Sequence, residues 1–285
     1  MITSTEETLR FINPMPRKSI LLIVFCVFFS ACHPPSTESL LTGGEDIKNR
    51  IQTPAGYSRV SAKDGWQSYL QDFRLLPSDA PVLDYNGIPI PIQNHHVAVL
   101  DIDVGTKDLQ QCADAIIRLR AEYLWQEGLK DNISFHFTSG HEFKWEDYRQ
   151  GIRPIVQGNR VGFASKTSFM DDYATFRNYL DVIFMYAGTI SLHREMNRVD
   201  RNSDYEIGDV IVQPGSPGHA VIIVDKAKNA NGKTIYLLAQ GYTPAQSIHI
   251  VKSGQEGISP WFNIPKTGPF IHQRFYLSDL GVRRF

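Results

Sequence analysis

The sequence has few cysteines, no cluster of basic side chains and no apolar run long enough to cross a membrane. Three cysteines occur among its 285 residues, which argues against the disulfide framework that stabilises many small secreted domains. The 29 basic and 30 acidic side chains almost cancel, and without a basic cluster we expect no nucleic-acid partner. The apolar run at residues 20–29 is shorter than the about 20 residues that a transmembrane helix requires. A transmembrane anchor is therefore the weaker interpretation of this run.

The beginning of the chain has the order of a secretory signal. A basic pair at 17–18 precedes the apolar run 20–29, and two small residues directly precede Cys32. A positive region, an apolar stretch and a small-residue cleavage site together predict a signal peptide over residues 1–31. Met15 begins a segment with the usual features of such a signal, which makes it a second candidate for the initiator.

The tripeptide 30–32 (SAC) resembles a lipobox, with Phe29 standing where leucine is usual. The resemblance implies that the thiol of Cys32 is acylated and that this lipid holds the mature protein on a membrane of the bacterial cell envelope. Residues 32–50 are rich in Pro, Ser and Gly and predict a flexible tether. What remains, residues 51–285, is long enough for a single domain.

The apolar periodicity after residue 50 predicts helices first and a run of antiparallel strands later. After an N-terminal extension at 51–92, the predicted elements are a strand at 96–103, a helix capped by Thr106 or Asp108 and ended by Gly128, strands at 133–138 and 155–163, a helix from Asp171 or Asp172 to Ala187, and strands at 208–213, 219–225, 234–240, 247–251 and 270–277. This order predicts the α+β class. Arg118 and Glu122, spaced i,i+4 on the first helix, predict an ion pair on its solvated surface.

The most informative motif joins a Gly-Asp-Val strand start at 208–210 to the segment 218–225 (GHAVIIVD), in which a histidine begins an apolar strand. This motif resembles the NlpC-type and CHAP cysteine peptidases and amidases of cell-wall turnover, and Gln111-Cys112 is similar to the Gln-Cys pair of the CHAP group. The resemblance implies a papain-like helix packed on an antiparallel sheet, with Cys112 as nucleophile and His219 as general base. We therefore expect the N-terminal turn of this helix to pack against the strands 219–225 and 234–240, on the side of the sheet where His219 lies. The 107-residue separation of these two residues is longer than usual in such enzymes, so we expect a helical insertion between them.

A nucleophilic thiol needs surroundings that favour the thiolate. Once the signal peptide is removed and Cys32 is lipidated, Cys112 is the only free thiol. It lies close to the start of its predicted helix, where the helix dipole favours negative charge, and a nearby imidazole acts in the same direction. We therefore expect its pKa to lie below the about 8.5 of a free cysteine. A buried core thiol is the competing interpretation, because Cys112 lies on the apolar face of the helix.

The identity of the third catalytic residue depends on the register of the hairpin that follows His219. A loop centred near Asn229 places Gln240 opposite His219, whereas a turn at the next Asn-Gly pair places Thr243 or Pro244 there. We take Gln240 as the residue that orients the imidazole, as the third member of a catalytic triad does.

Over most of residues 55–285 the sequence more closely resembles a family of envelope lipoproteins catalogued as domain of unknown function 4846. The stretches that carry this resemblance are 100–105 (LDIDVG), 111–125 (QCADAIIRLRAEYLW), 184–189 (FMYAGT), 215–220 (GSPGHA), 238–240 (LAQ) and 244–246 (PAQ). The family name implies no activity, so the predicted function depends on the site.

The sequence therefore predicts a membrane-tethered envelope lipoprotein that hydrolyses amide bonds through a thiol, with peptidoglycan stem peptides as the expected substrate. Cys112, His219 and Gln240 are the expected catalytic residues, and Gln111 is a candidate for the oxyanion neighbourhood. No motif requires a cofactor, and the histidines lack the spacing of zinc ligands. The alternative is a binding or assembly lipoprotein of the same fold that catalyses nothing.

Overall fold

The computed structural model describes residues 40–278 and 281–285. The predicted signal peptide, the lipidation site Cys32 and the first part of the predicted tether, residues 32–39, lie outside the described residues. None of the helices among the described residues is long and apolar enough to cross a membrane.

Helices and strands are both frequent in the described part of the chain. The helices are α1 (Ile47–Arg50), α2 (Gly65–Gln71), α3 (Cys112–Gln126), α4 (Trp145–Arg149), α5 (Tyr173–Tyr186) and α6 (Thr189–Glu195). The strands are β1 (Tyr57–Arg59), β2 (His96–Val99), β3 (Ser134–His136), β4 (Glu142–Lys144), β5 (Ile152–Gln157), β6 (Arg160–Ser165), β7 (Asn197–Arg198), β8 (Val210–Gln213), β9 (His219–Asn229), β10 (Thr234–Gln240), β11 (His249–Val251), β12 (Phe270–His272), β13 (Phe275–Leu277) and β14 (Val282–Arg284).

An antiparallel sheet lies at the centre of the described structure and confirms the α+β class. Its strands follow the order β2-β11-β10-β9-β8-β14-β7, and β1 pairs with the C-terminal end of β9. The hairpin of β9 and β10 closes where the side-chain oxygen of Asn229 accepts the N–H groups of Asn231 and Lys233. Asparagine commonly stabilises turns in this way, by mimicking the backbone.

Both faces of the sheet are buried, which explains why β9 is apolar along most of its length instead of alternating. On one face, called the helix face below, Ala220 and Ile222 belong to the hydrophobic core that contains the apolar residues of α3. On the other, called the opposite face, Val221 and Ile223 pack with residues from the C-terminal part of the chain such as Phe275. A fully buried Val or Ile contributes about 1.5–3 kcal/mol relative to exposure, so β9 is strongly fixed between two packed layers.

Helix α3 begins at Cys112, later than either predicted cap. Asp108 does not cap the helix, because its Oδ1 accepts the backbone N–H of Ala245 at 2.7 Å and so binds the loop that follows β10. The helix begins after Gln111 instead, whose backbone N–H donates to Oδ2 of Asp114 at 3.1 Å. As a result, the thiol belongs to the first residue of the helix.

The chain between α3 and β8 holds two hairpins and three helices. Residues 155–163, predicted as one strand, belong to two: β5 and β6 pair in antiparallel register on either side of Gly158. Helix α5 is as predicted, because Oδ1 of Asp172 accepts the N–H of Thr175 at 2.8 Å and fixes the N-terminus.

The prediction of a solvated Arg118–Glu122 pair is wrong. The two side chains form an ion pair at 2.6 Å, but only 1% and 5% of their respective surfaces are exposed. Arg118 also donates to Asp103 at 2.9 Å and to Gln110 at 3.0 Å. A buried charge is tolerated when it is paired and fully hydrogen-bonded, which these partners accomplish.

The folded part of the chain begins earlier than residue 51. Residues 47–50, assigned from composition to the tether, form α1, and Ile47 is fully buried in the core on the helix face. The side chain of Asp46 caps α1 by accepting the N–H of Asn49 at 2.9 Å.

Candidate active site

The thiol of Cys112 is almost enclosed at the N-terminus of α3. Only 9% of the residue is exposed. Burial raises the pKa of the thiol, the carboxyl of Asp114 adds to this rise, and the N–H groups of Ala220 and of the first residues of α3 oppose it by hydrogen bonding to sulfur. The expectation of a lowered pKa is wrong for this structure, because desolvation outweighs the effect of the backbone donors.

His219 is the first residue of β9 and pairs with Gln213 at the end of β8. Its ring is stacked on Phe275, with centroids 5.6 Å apart and planes at 24°, and it meets the ring of Tyr242 edge-on at 5.3 Å. These contacts hold the plane of the imidazole. Burial lowers the pKa of His219 to about 4, so the imidazole is neutral, and able to accept a proton, over the physiological range.

A chain of hydrogen bonds behind His219 determines which of its ring nitrogens carries the proton. Nδ1 of His249 lies 2.9 Å from the carbonyl oxygen of Ser247 and must donate, because a carbonyl only accepts. Burial lowers the pKa of His249 to about 3, so this ring is neutral and its Nε2 accepts the amide N–H of Gln240 at 3.2 Å. The amide oxygen of Gln240 then accepts the Nε2 proton of His219 at 2.8 Å. The remaining nitrogen of His219, Nδ1, is therefore the basic one.

Gln240 reaches His219 in a register that differs from the predicted one. After an irregularity in the pairing of β9 with β10, Ala239 lies opposite Ile222. Continuing this register places Gln240 opposite Val221, diagonal to His219 on the same face of the sheet. A long side chain can span such a diagonal. The expected hydrogen bond between Gln240 and His219 is present, although the two residues do not lie directly opposite each other in the hairpin.

Cys112 and His219 line the same cleft, which has a volume of about 720 Å³ and opens at one end of the sheet. The start of α3 forms one wall, and the others are the loop between β8 and β9, the start of α6, the residues after β10 and the hairpin of β12 and β13. The other lining residues are Gln111, Ala113, Gly188, Thr189, Gln213, Gly215, Ser216, Pro217, Gly218, Tyr242, Thr243, Arg274, Phe275 and Tyr276.

The two central residues approach this cleft from different faces of the sheet. We expected the helix and the histidine on one side, but α3 packs on the helix face, whereas the ring of His219 packs with Phe275 on the opposite face. Within the described residues no hydrogen bond joins Sγ of Cys112 to the imidazole, whereas the backbone N–H of Ala220 lies near enough to Sγ to lower the pKa of the thiol. Because Ala220 directly follows His219, the thiol lies beside the peptide that leads into the histidine.

Two glycines permit the close packing around the site. A Cβ at Gly241 would lie 2.8 Å from the carbonyl oxygen of Gln111 and 2.9 Å from Cβ of Ala115, so only glycine lets the start of α3 lie against the end of β10. A Cβ at Gly218 would lie 2.4 Å from Oγ1 of Thr189 and 2.6 Å from the oxygen of Gly215. Both positions require the absence of a side chain.

Gln111 is held in place by two hydrogen bonds. Its Oε1 accepts the hydroxyl proton of Thr243 at 3.1 Å, and its Nε2 donates to Oδ1 of Asp108 at 3.2 Å. One amide hydrogen remains available at the rim of the cleft, since a primary amide has two. This arrangement is compatible with the predicted place of Gln111 near a developing oxyanion.

Several features of this region were not predicted from the sequence. His249 could have been noticed, because it is a polar residue in the middle of an apolar strand, whereas nothing in the sequence distinguishes Arg274.

Asp209 of the Gly-Asp-Val motif has a structural role: it is fully buried and accepts two hydrogen bonds from Arg284, at 2.6 and 2.8 Å, which attach β14 to β8. The described residues contain no group of three or more His, Cys, Asp or Glu side chains that could hold a metal ion.

Comparison with known proteins assigns the chain to a family. Residues 47–281 match the family described as Domain of unknown function (4846), and because the match spans most of the chain, the protein belongs to this family. This agrees with the resemblance found in the sequence. No curated protein and no solved structure matches the chain significantly.

Proposed function

We propose that this member of the 4846 family is a thiol-dependent hydrolase of amide bonds, with Cys112 as nucleophile, His219 as general base and Gln240 as the residue that orients the imidazole. The observation that supports this most directly is the chain of hydrogen bonds from Ser247 through His249 and Gln240. It holds His219 in the tautomer whose basic nitrogen is free, in a cleft that also contains Cys112, the one free thiol of the described residues.

In the proposed reaction the thiol first turns from the N–H of Ala220 towards the imidazole. Nδ1 of His219 removes the thiol proton as sulfur attacks the carbonyl carbon of the amide. Gln240 stabilises the imidazolium that forms, because its oxygen already accepts the Nε2 proton. The imidazolium then protonates the leaving amine. A water molecule, deprotonated by the same imidazole, hydrolyses the thioester and regenerates the thiol.

The negative charge on the attacked oxygen needs donors close to Cys112. The first N–H groups of a helix have no partner within the helix and carry its partial positive charge, so the start of α3 is suited to this role. The remaining amide hydrogen of Gln111 is a second candidate donor. An oxyanion-stabilising donor of this kind contributes about 3–4 kcal/mol in well-studied hydrolases.

We further propose that the protein acts while anchored to a membrane of the cell envelope by lipid on Cys32. The signal sequence and the lipobox-like tripeptide support this location. Peptidoglycan stem peptides contain amide bonds and belong to the cell envelope, and we propose them as the substrate.

The test is hydrolysis of purified muropeptides by the full-length lipoprotein in detergent, followed by mass spectrometry. Cys112→Ser and His219→Ala should each abolish product formation while circular dichroism shows a retained fold. His141→Ala, in the turn between β3 and β4 and outside the cleft, is the matched control and should keep full activity.

The absence of a hydrogen bond between Cys112 and His219 favours a second candidate, a binding lipoprotein that uses the same cleft without turnover. That candidate predicts saturable muropeptide binding by calorimetry, no product with any variant, and weaker binding when the cleft is altered. Product formation by wild type that persists in Cys112→Ser would contradict both candidates.

A further inference from the structure

We propose that Arg274 binds a carboxylate in the cleft, so that the substrate carries a carboxylate close to the amide bond that is cleaved. This inference rests on the proposed hydrolase function, since it names the substrate class of the same site. It is argued from the position of the guanidinium, from the charges around it and from the chemistry of His219.

Arg274 is held where its guanidinium faces the cleft. It directly precedes β13, and its backbone N–H donates to Nδ1 of His272 at 3.2 Å. The guanidinium carbon lies 4.4 Å from the centroid of the Tyr242 ring, and both residues line the cleft. Stacking on an aromatic ring leaves the N–H groups at the edge of the guanidinium plane free, in the fork that matches a carboxylate.

The charge of Arg274 is not balanced within the described part of the chain. No described carboxylate lies within ion-pair distance of its guanidinium, although many other arginines here, such as Arg118 and Arg284, have such partners. Among the described residues that line the cleft, Arg274 is the one with a full charge at neutral pH, because burial keeps both Cys112 and His219 uncharged. An anionic group is the natural complement of such a cleft.

A bound carboxylate would also assist the chemistry. Burial is the main cause of the low pKa of His219, and the positive charge of Arg274 lowers this pKa further. Arg274 therefore destabilises the imidazolium that must form when His219 takes the thiol proton. A carboxylate paired with Arg274 cancels this opposition. A substrate with this carboxylate therefore binds more tightly and also stabilises the imidazolium. An analogue in which the carboxylate is amidated has neither effect.

The charge preference can be measured without turnover by alkylating Cys112 in the full-length lipoprotein at pH 7.5. Iodoacetate and iodoacetamide have nearly the same size, but only the first carries a carboxylate. The rate of alkylation by iodoacetate divided by the rate by iodoacetamide should fall roughly fivefold in Arg274→Gln, as expected for the loss of one nearby charge at a partly buried site. Arg274→Lys should keep part of the preference.

Arg153→Gln is the matched control, because Arg153 is stacked on Tyr148 in the same manner, at 3.5 Å, but outside the cleft. Its rate ratio should equal that of wild type. Cys112→Ala measures labelling at any other position. A ratio that is unchanged in Arg274→Gln, or that falls equally in Arg153→Gln, would overturn the proposal.

If the enclosed thiol resists both reagents, titration with sodium acetate decides the question. At neutral pH, where acetate is ionised, acetate should shift the imidazole ¹⁵N signals of His219 in wild type, whereas sodium chloride at equal ionic strength should not. An identical response of Arg274→Gln would refute carboxylate binding. A charge preference in a protein that hydrolyses no muropeptide would instead refute the hydrolase alone and leave a carboxylate-binding cleft.

Discussion

Replacing Asp114 by asparagine should stabilise the protein, and increasingly so as the pH rises. Asp114 is 6% exposed in the first turn of α3, and its Oδ2 accepts the N–H of Gln111. Its Oδ1 is buried and has no hydrogen-bond partner among the described residues. Burial raises the pKa of this carboxyl from its ordinary 3.8 to about 8. The folded protein therefore binds one more proton than the unfolded chain between these two pH values, and stability falls as pH rises through this window.

The size of the effect follows from the pKa shift. At pH 7, about three pH units above the unfolded pKa, keeping the carboxyl protonated costs up to about 4 kcal/mol, at about 1.4 kcal/mol per unit. At pH 4.5 the same cost is only about 1 kcal/mol. Asn has no proton to bind, and its side-chain oxygen can still accept the N–H of Gln111, so Asp114→Asn should remove most of this penalty.

Urea unfolding of wild type and Asp114→Asn at pH 4.5, 5.5, 6.5 and 7.5 measures the difference directly. All other titrating groups are common to both proteins, so the pH dependence of the difference isolates Asp114. Asp79→Asn, which removes an exposed carboxyl, is the control and should give a small, constant difference. A stability difference between Asp114→Asn and wild type that does not grow with pH would refute the reasoning.

Three further predictions follow from the site and the signal. An NMR titration should give His219 a midpoint near pH 4, with the Nε2-protonated tautomer above that pH. Because the pKa is lower in the folded protein than in the unfolded chain, His219 contributes stability that is lost as the pH falls from 6.5 to 4. A midpoint at the ordinary 6.5 would contradict the described burial. Gly241→Ala should lower the free energy of unfolding, measured in urea, by about 1–3 kcal/mol, because the added methyl group clashes with Gln111. Gly162→Ala should not show this loss, since no described atom lies within 4 Å of a Cβ at that position. Cys32→Ser should move the protein from the membrane to the soluble fraction of a cell lysate, and its continued membrane association would contradict lipidation.

Elements whose signals are local were predictable from the sequence. Helix α5 combines apolar residues at helical spacing with an Asp at its N-cap, and both were visible in the chain itself. The strands β8 to β11 were predicted for a similar reason, since buried apolar strands separated by turn residues are distinctive. The start of α3 was not predictable, because Asp108 is occupied by Ala245, a partner 137 positions later.

The burial of Arg118 depends on long-range contacts in the same way. A helix with an i,i+4 ion pair is usually exposed on that side, and nothing in the local pattern indicates that Asp103 and Gln110 surround the guanidinium. The chain before α3 folds back over the helix and supplies these partners. The exposed or buried state of a charged pair is therefore decided by elements that periodicity does not describe.

The candidate site was predictable in part, because hairpin geometry is short-range. The resemblance identified Cys112 and His219, and the arithmetic of one hairpin identified Gln240. That arithmetic assumed a regular ladder, and an irregularity in the ladder changed the alignment while the length of the Gln side chain preserved the contact. His249 and Arg274 were missed because they come from other parts of the sheet and from a separate hairpin.

Because the pKa of Cys112 is raised, slow alkylation of this thiol does not by itself distinguish a nucleophile from a core cysteine. In an oxidising export compartment a low-pKa, accessible thiol is readily oxidised, whereas a protonated and enclosed thiol is protected. In the proposed hydrolase, deprotonation then has to coincide with substrate binding, when Nδ1 of His219 receives the proton and a carboxylate at Arg274 removes the opposing charge. A slow resting thiol is thus expected of both a core cysteine and this nucleophile. The quantity that separates them is the dependence of alkylation on His219: loss of the imidazole slows a nucleophile of this kind and leaves a core thiol unaffected.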